Sequence, residues 1–156
     1  MDKNRDRGKE LIKKVININR ISKVVKGGRR MRFSALVIVG DGKGSVGYGH
    51  AKAGEVSGAI AKAEKKAIKT LLKISLEGST IPWMITTKFG ASKVLLKPAR
   101  KGRGIVGAKP VRAVMEAVGI SDVVTKLFGS HNSLNVVKAI FAALSSLFEG
   151  KTNEIK

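Results

Sequence analysis

The sequence predicts an α+β fold in two lobes, and three observations carry that expectation. Short β-rich segments joined by glycine turns occupy residues 11–53, and a single helical stripe follows them. The stretch SLEGSTIP at 75–82 then breaks both periods. After it, strand and helix patterns alternate a second time. The expected organisation is a basic N-terminal tail over 1–10, a first lobe over 11–76, a second over 77–149 and a polar tail over 150–156.

In the first lobe, LIKKVININR at 11–20 combines β-branched residues with alternation and reads as a strand. VKGGRR at 25–30 is a glycine turn loaded with positive charge. MRFSALVIV at 31–39 is apolar enough to be a strand buried on both faces. DGKG at 41–44 is a tight turn in which Asp41-Gly42 supplies positive φ values, and SVGYGHAKA at 45–53 is a third strand. Three strands in meander order make an antiparallel sheet. The helix begins near Glu55, with Val56, Ile60, Ala63, Ala67, Leu71 and Ile74 as its apolar stripe.

The second lobe, of βαβ type with two helices, opens with strands near 81–87 and 93–97, followed by a loop, PARKGRGIVGA, at 98–108. Pro110 suits the first turn of a helix carrying Val111, Val114, Met115 and Val118 on one face and ending at Gly119. DVVTKLF at 122–128 is a strand. Ser133 is the expected cap of a last helix, with Leu134, Val137, Phe141, Leu144 and Phe148 on its apolar face.

Charge narrows the partner. The 31 Lys and Arg residues oppose 11 Asp and Glu, a formal net charge of +20 in 156 residues. Such an excess repels itself in a compact state and is best tolerated against a polyanion. Nucleic acid fits, because each neutralised phosphate releases condensed counterions. Both halves share the excess, at +13 for residues 1–75 and +7 for the remainder. Aromatic residues form only 4% of the chain, which favours phosphate and shape recognition over base stacking. With no cysteine, disulfides, thiolate metal sites and cysteine nucleophiles are excluded. The opening MDKNRDRGKE has no apolar core of a secretory signal, and FSALVIVG is far too short to span a bilayer. A soluble, intracellular protein without membrane contact is expected.

Gly42, Gly44 and Gly47 spell GxGxxG, the spacing of a dinucleotide site. That fingerprint needs a helix N-terminus inside the glycine turn, whereas the next element here is a strand. A kinase glycine loop does lie between strands, but neither HRD nor DFG occurs. The glycines are therefore structural. Gly47, Gly49 and Ala51 share one strand face and allow close backbone approach, either by the following helix or by a phosphate chain.

Two loops carry the candidate chemistry. In VKGGRR, Lys26, Arg29 and Arg30 flank Gly27 and Gly28, so that exposed amides and guanidinium forks suit phosphate oxygens. RKGRG at 100–104, with Lys109 at a helix start, suits either an anion or a docked protein. The lysines on the first helix form a solvated face that phosphate can reach. His50 and His131 are the only histidines and sit in no metal-spaced cluster; His50 reads as a partly buried or RNA-facing side chain. No carboxylate pair and no nucleophile–base pair stands out, so catalysis, cofactors and a small-molecule substrate are not expected.

Long motifs carry a resemblance. NRISKVVKGGRR, FSALVIVGDGKGSVGYGHAKAGEV, KPARKGRGIVGA, VRAVMEAVGISDV and GSHNSLNVVKA closely resemble the bacterial small-subunit ribosomal protein family numbered five, over about 11–147. The resemblance implies a first lobe like a double-stranded-RNA-binding domain and a second whose fold several unrelated proteins share. It implies a structural, ribosome-bound cytoplasmic (or organellar) protein that binds small-subunit (16S-type) rRNA near the head–body junction. Small-subunit proteins four and eight are implied as neighbours, with the messenger RNA path nearby and an influence on decoding accuracy. By position, Arg20, Ser22, Lys23, Lys26, Gly27, Gly28, Arg29, Arg30, Lys43 and Lys52 are the implied rRNA-binding residues. Gly102, Gly104 and Arg112 match the interface with protein four. The chain departs from the family at Ser133, where Pro is usual, at Ala108-Lys109-Pro110, and in stopping soon after the last helix. The rival reading is a free-standing RNA- or DNA-binding chaperone.

Overall fold

A computed structural model describes residues 10–149; all but residue 10 of the expected tail over 1–10, and the whole expected tail over 150–156, lie outside the described residues. Its architecture is α+β, with two four-stranded sheets and three helices among the described residues. The first sheet comprises β1 (Ile12–Val25), β2 (Gly28–Gly40), β3 (Ser45–Ala53) and β4 (Leu72–Lys73) in that order, all antiparallel. Helix α1 (Val56–Lys69) lies on one face. The second sheet comprises β5 (Ile85–Phe89), β6 (Ser92–Pro98), β7 (Ile105–Val106) and β8 (Val123–Gly129), in the order β5-β6-β8-β7. Between β7 and β8, which pair in parallel, runs α2 (Lys109–Val118), so this is the βαβ unit; α3 (Ser133–Glu149) follows β8.

β2 explains how the two sheets share a core. From Ser34 to Gly40 every residue is buried, as the continuous apolar run predicts. Side chains alternate between faces. Ala35, Val37 and Val39 pack on Ala59, Ala63 and Ala67 of α1. Leu36 and Ile38 face the other way, into a cluster with Val114, Met115 and Val118 of α2 and Ile140 and Leu144 of α3. The first sheet is thus sandwiched between its own helix and the helices of the second lobe. Tyr48 on β3 and Phe141 on α3 meet edge to face across the same boundary, with ring centroids 4.8 Å apart.

Several expectations change. β1 continues through residues 21–25, and the broad turn expected at 25–30 shrinks to Lys26-Gly27. Ile16 is squeezed out of register by a bulge between Val15 and Asn17, which turns it inward to 5% exposure. α1 stops at Lys69, so Leu71 and Ile74 are not on the helix; residues 72–73 instead add the fourth strand. Its buried stripe is Ala59, Ala63 and Ala67, while Val56 stays exposed. The reason is on β3. A Cβ at Gly47 or Gly49 would collide with the backbone carbonyls of Ala67 and Ala63. The helix lies so close that only alanine fits beneath it, and the close neighbour of these glycines is the helix.

In the 41–44 turn the left-handed positions belong to Gly42 and Gly44, at φ 66° and 105°, and not to Asp41. The Asp41 carboxylate accepts the amides of Lys43 (2.8 Å) and Ser45 (2.9 Å), an Asx-type turn. The turn also docks. The amides of Gly42 and Gly44 donate to the carbonyls of Ala117 (2.9 Å) and Val118 (2.8 Å), two groups that the C-terminus of α2 leaves without helical partners. In the second lobe the first strand begins at Ile85 rather than 81, since Pro82 brings no amide to a ladder. The last helix is capped by Asn132, not Ser133: its side-chain oxygen accepts the Leu134 amide at 3.1 Å.

Candidate RNA-binding surface

The β1–β2 hairpin outruns the rest of the sheet. β3 pairs with β2 only as far as Phe33. Five further pairs, from Ile21–Arg32 to Val25–Gly28, continue as a bare two-stranded arm. At about 3.4 Å per residue it projects roughly 17 Å. The tip closes in two residues because Gly27 takes φ 95°, a conformation glycine adopts without a Cβ clash. A Cβ at Gly27 or Gly28 would meet nothing within 4 Å among the described residues, so neither glycine is there for packing against them.

Register sets which charges sit together, because partners in an antiparallel pair share a face. Lys23 lies opposite Arg30, and Arg32 opposite Ile21, on one face. Arg29 opposite Val24, Met31 opposite Ser22 and Arg20 opposite Phe33 form the other. All of these except Phe33 and Ile21 are exposed, and Val24 is 78% exposed. No carboxylate occurs between residues 17 and 33. Like charges side by side, as at Lys23–Arg30, weaken an isolated hairpin. A polyanion reverses that sign.

The structure therefore gathers Arg20, Ser22, Lys23, Lys26, Gly27, Gly28, Arg29 and Arg30 on one arm. It does not bring Lys43 to them: Lys43 sits in the docking turn at the far end of β2, about 40 Å away along a 13-residue strand. Lys52 lies on β3 opposite Ser34, close to the base of the arm.

The second candidate region is the loop after β6. Gly102 and Gly104 take φ 89° and 77°, and their amides converge on one carboxylate oxygen of Asp122, at 3.0 and 2.9 Å. Asp122 is only 3% exposed. The Gly104 amide, with the Ser79 and Ser121 hydroxyls and the Gly102 amide, holds its carboxyl below the usual range. Clamped in this way, the loop presents Arg100, Lys101 and Arg103 outward. Gly104 and Arg112 line one open concavity of about 570 Å³ with Arg103 and Glu116, and the Arg112 guanidinium donates to the Ile105 carbonyl at 3.1 Å. Gly102 lies outside its lining. Sequence reasoning missed Asp122. Its only signal was a lone acid at the start of a strand, which nothing ties to a loop 20 residues earlier.

His50 lies where α1, β3 and α3 meet. Burial, then the neighbouring ammonium groups of Lys52, Lys66 and Lys138, hold its imidazole below the ordinary value of 6.5. Among the described residues no cluster of His, Asp or Glu is arranged to hold a metal ion, and no helix is long and apolar enough to cross a membrane.

Comparison with known proteins identifies the family. The family profile for ribosomal protein S5, N-terminal domain, matches residues 11–75, and that for ribosomal protein S5, C-terminal domain, matches residues 87–154. The small ribosomal subunit protein uS5 of Lawsonia intracellularis is 54% identical over 136 residues, covering 87% of this chain and 83% of its own. The protein of the same name from Chloroflexus aurantiacus is 51% identical over 138 residues, covering 88% and 78%. The chain belongs to the ribosomal protein S5 (uS5) family, whose members are structural and non-enzymatic components of the small ribosomal subunit.

Proposed function

We propose that this chain is built into the small subunit of a cytoplasmic ribosome by binding small-subunit rRNA near the head–body junction, with the β1–β2 arm as its principal phosphate contact. The observation that carries the reading is the arm itself. Lys23, Lys26, Arg29, Arg30 and Arg32 stand on an exposed ribbon that packs on no other element among the described residues and holds no carboxylate. Backbone amides at the Gly27-Gly28 tip add donors for phosphate oxygens. In the same reading, the Asp122-clamped loop with Gly102, Gly104 and Arg112 meets small-subunit protein four. Through that joint it contributes to decoding accuracy. Protein eight is a further neighbour, and the messenger RNA path runs nearby.

Binding to small-subunit rRNA is measured as a function of salt for the native chain and for Arg29→Glu/Arg30→Glu. Loss of two phosphate contacts makes the slope of log K against log salt shallower by about 1.4–1.8. Sedimentation at low salt then reports incorporation, which should fall for the double variant. An unchanged slope and unchanged incorporation would overturn the reading. Native protein that never co-sediments with small subunits would favour a free-standing chaperone.

A further inference from the structure

The face of the arm that carries Lys23, Arg30 and Arg32 does not end at the arm's base. In register, the next row inward is Asn19, Ser34 and Lys52, and the one after it is Asn17, Leu36 and His50. Rows on one face are two residues apart, so the rows from Lys23–Arg30 to His50 span roughly 20 Å. Along this line a narrow groove is lined by Asn17, Asn19, Ser34 and His50 on the sheet and by Asn132 and Leu134 at the start of α3. The N-terminal end of that 17-residue helix adds a partial positive charge.

Past His50 the groove opens into a cleft of about 360 Å³ at the free edge of β3. Lys66 and Lys69 reach it from α1, and Lys138 reaches it from α3. Lys66 donates to the His50 carbonyl at 3.1 Å, and the Lys138 ammonium lies 4.9 Å from the centre of the Phe89 ring. Neither contact neutralises a charge. No Asp or Glu lines the cleft or the groove. The convergence of these cations is visible at His50, whose imidazole feels Lys52, Lys66 and Lys138 together. The floor is Tyr48, Gly49 and Leu134.

We infer that the arm, the groove and the cleft form one continuous track for an RNA backbone, crossing from the first lobe to the second and ending between Lys66, Lys69 and Lys138. This rests on the ribosomal RNA reading above and extends it to a second anchoring point. Cations spaced along a line suit successive phosphates, while Asn17, Asn19 and Asn132 between them suit phosphate and 2′-hydroxyl oxygens. An acidic protein partner would need only the cleft and would leave the groove's amides and the continuity with the arm unused. Because Lys138 belongs to α3 and Lys66 to α1, a strand seated there holds the lobes in one relative position.

The absence of cysteine makes the test direct. Unique thiols are placed at exposed positions, Val24→Cys on the arm and Lys62→Cys one turn before Lys66 on the same helix face, and each is loaded with an iron–EDTA radical source. Small subunits are reconstituted around each tethered protein and rRNA cleavage is mapped. Cleavage from both sites, in neighbouring stretches of the folded rRNA, supports the track. Cleavage from Val24→Cys without cleavage from Lys62→Cys overturns it and leaves the arm reading intact, whereas silence from both overturns the two together. As a second measurement, Lys66→Ala/Lys69→Ala/Lys138→Ala should bind small-subunit rRNA with a salt slope shallower by about 2–3. An unchanged slope overturns the cleft's role, as does cleavage from Lys62→Cys that falls on a neighbouring protein in place of RNA.

Discussion

Four glycines permit the close-packing argument to be tested one term at a time, by the same change to alanine. Gly54 has open space around it and no left-handed φ. Gly78 also has open space but sits at φ 86°. Gly49 has no left-handed φ, yet a Cβ there would run into the Ala63 carbonyl and the Ala67 amide of α1. Gly119 has both burdens, at φ 101° and with the Gly42 carbonyl where its Cβ would lie. The series separates chain entropy, backbone strain and steric collision.

Alanine at Gly54 only reduces the freedom of the unfolded chain, so it is neutral or stabilises by about 0.5 kcal/mol. At Gly78 the left-handed conformation costs about 1–2 kcal/mol against that gain, for a net loss near 1 kcal/mol. At Gly49 the helix must lift off β3, an overpacking cost of about 1–3 kcal/mol. At Gly119 strain and collision combine to about 3 kcal/mol, because the displaced carbonyl belongs to the turn that caps α2. For a chain of this size about 3 kcal/mol lowers Tm by roughly 6–12 °C. Urea unfolding supplies the free energies, and an unchanged m-value confirms that native stability has moved. If Gly49→Ala unfolds at the same urea concentration as Gly54→Ala, the helix does not ride against β3 and the account of the alanine stripe is wrong. If Gly119→Ala costs no more than Gly78→Ala, the turn does not dock on α2.

Two further outcomes concern titration. Asp122 has its pKa lowered by the Gly104 amide and the hydroxyls around it, so its contribution is fully present above the unfolded carboxylate value of about 3.9 and disappears as pH falls through the lower folded value. Urea midpoints of the native chain and Asp122→Asn should therefore differ by a constant amount above about pH 5 and converge in acid; a gap independent of pH would refute the clamp. His50 is shifted the other way in charge terms: burial and its three lysine neighbours disfavour the protonated form, so the unfolded chain takes up the proton first and stability falls as pH drops through 6.5. NMR titration of the free protein should place the His50 midpoint below that of an unfolded control, and Lys66→Gln/Lys138→Gln should move it upward; no movement would show that the lysines do not converge there.

How much of this was legible in the sequence depended on whether a feature repeats. β2 announced burial on both faces through an unbroken run from Ala35 to Val39, but a run of apolar letters does not say what covers each face. The stripe of α1 misled because Val56 and Ile60 are the larger side chains at helical spacing. Gly47 and Gly49 on another strand decide that Ala59, Ala63 and Ala67 face inward. β4 and β7 are two residues each, too short to carry any period. The arm was legible as chemistry, from KGGRR, but not as shape: its projection follows from β3 ending at Ala53, opposite Phe33, a tertiary fact. The resemblance grouped Lys43 with the same basic residues, and the length of β2 separates it from the arm.

β2 has three environments along one continuous strand, and this bears on how the lobes can act together. Its first residues, 28–32, form the exposed basic arm. Its middle is gripped from both sides by α1 and by the α2–α3 core. Its last residue, Gly40, presses so closely on Ala117 that a Cβ there would strike the carbonyl, and the turn beyond it hydrogen-bonds the end of α2. A strand held at its middle and its end is a poor hinge, since bending it means opening a packed core rather than rotating a few loop dihedrals. Lys14 of β1 and Glu116 of α2 close an ion pair across the same seam. Force on the arm is thus delivered to α2, and α2 carries Arg112 at the rim of the concavity beside Gly104. Under the proposed function, an RNA-bound arm and a protein-facing α2 would be two ends of one stiff element. For that reason, a substitution at Gly40, buried in the seam and far from the arm's tip, is expected to loosen both.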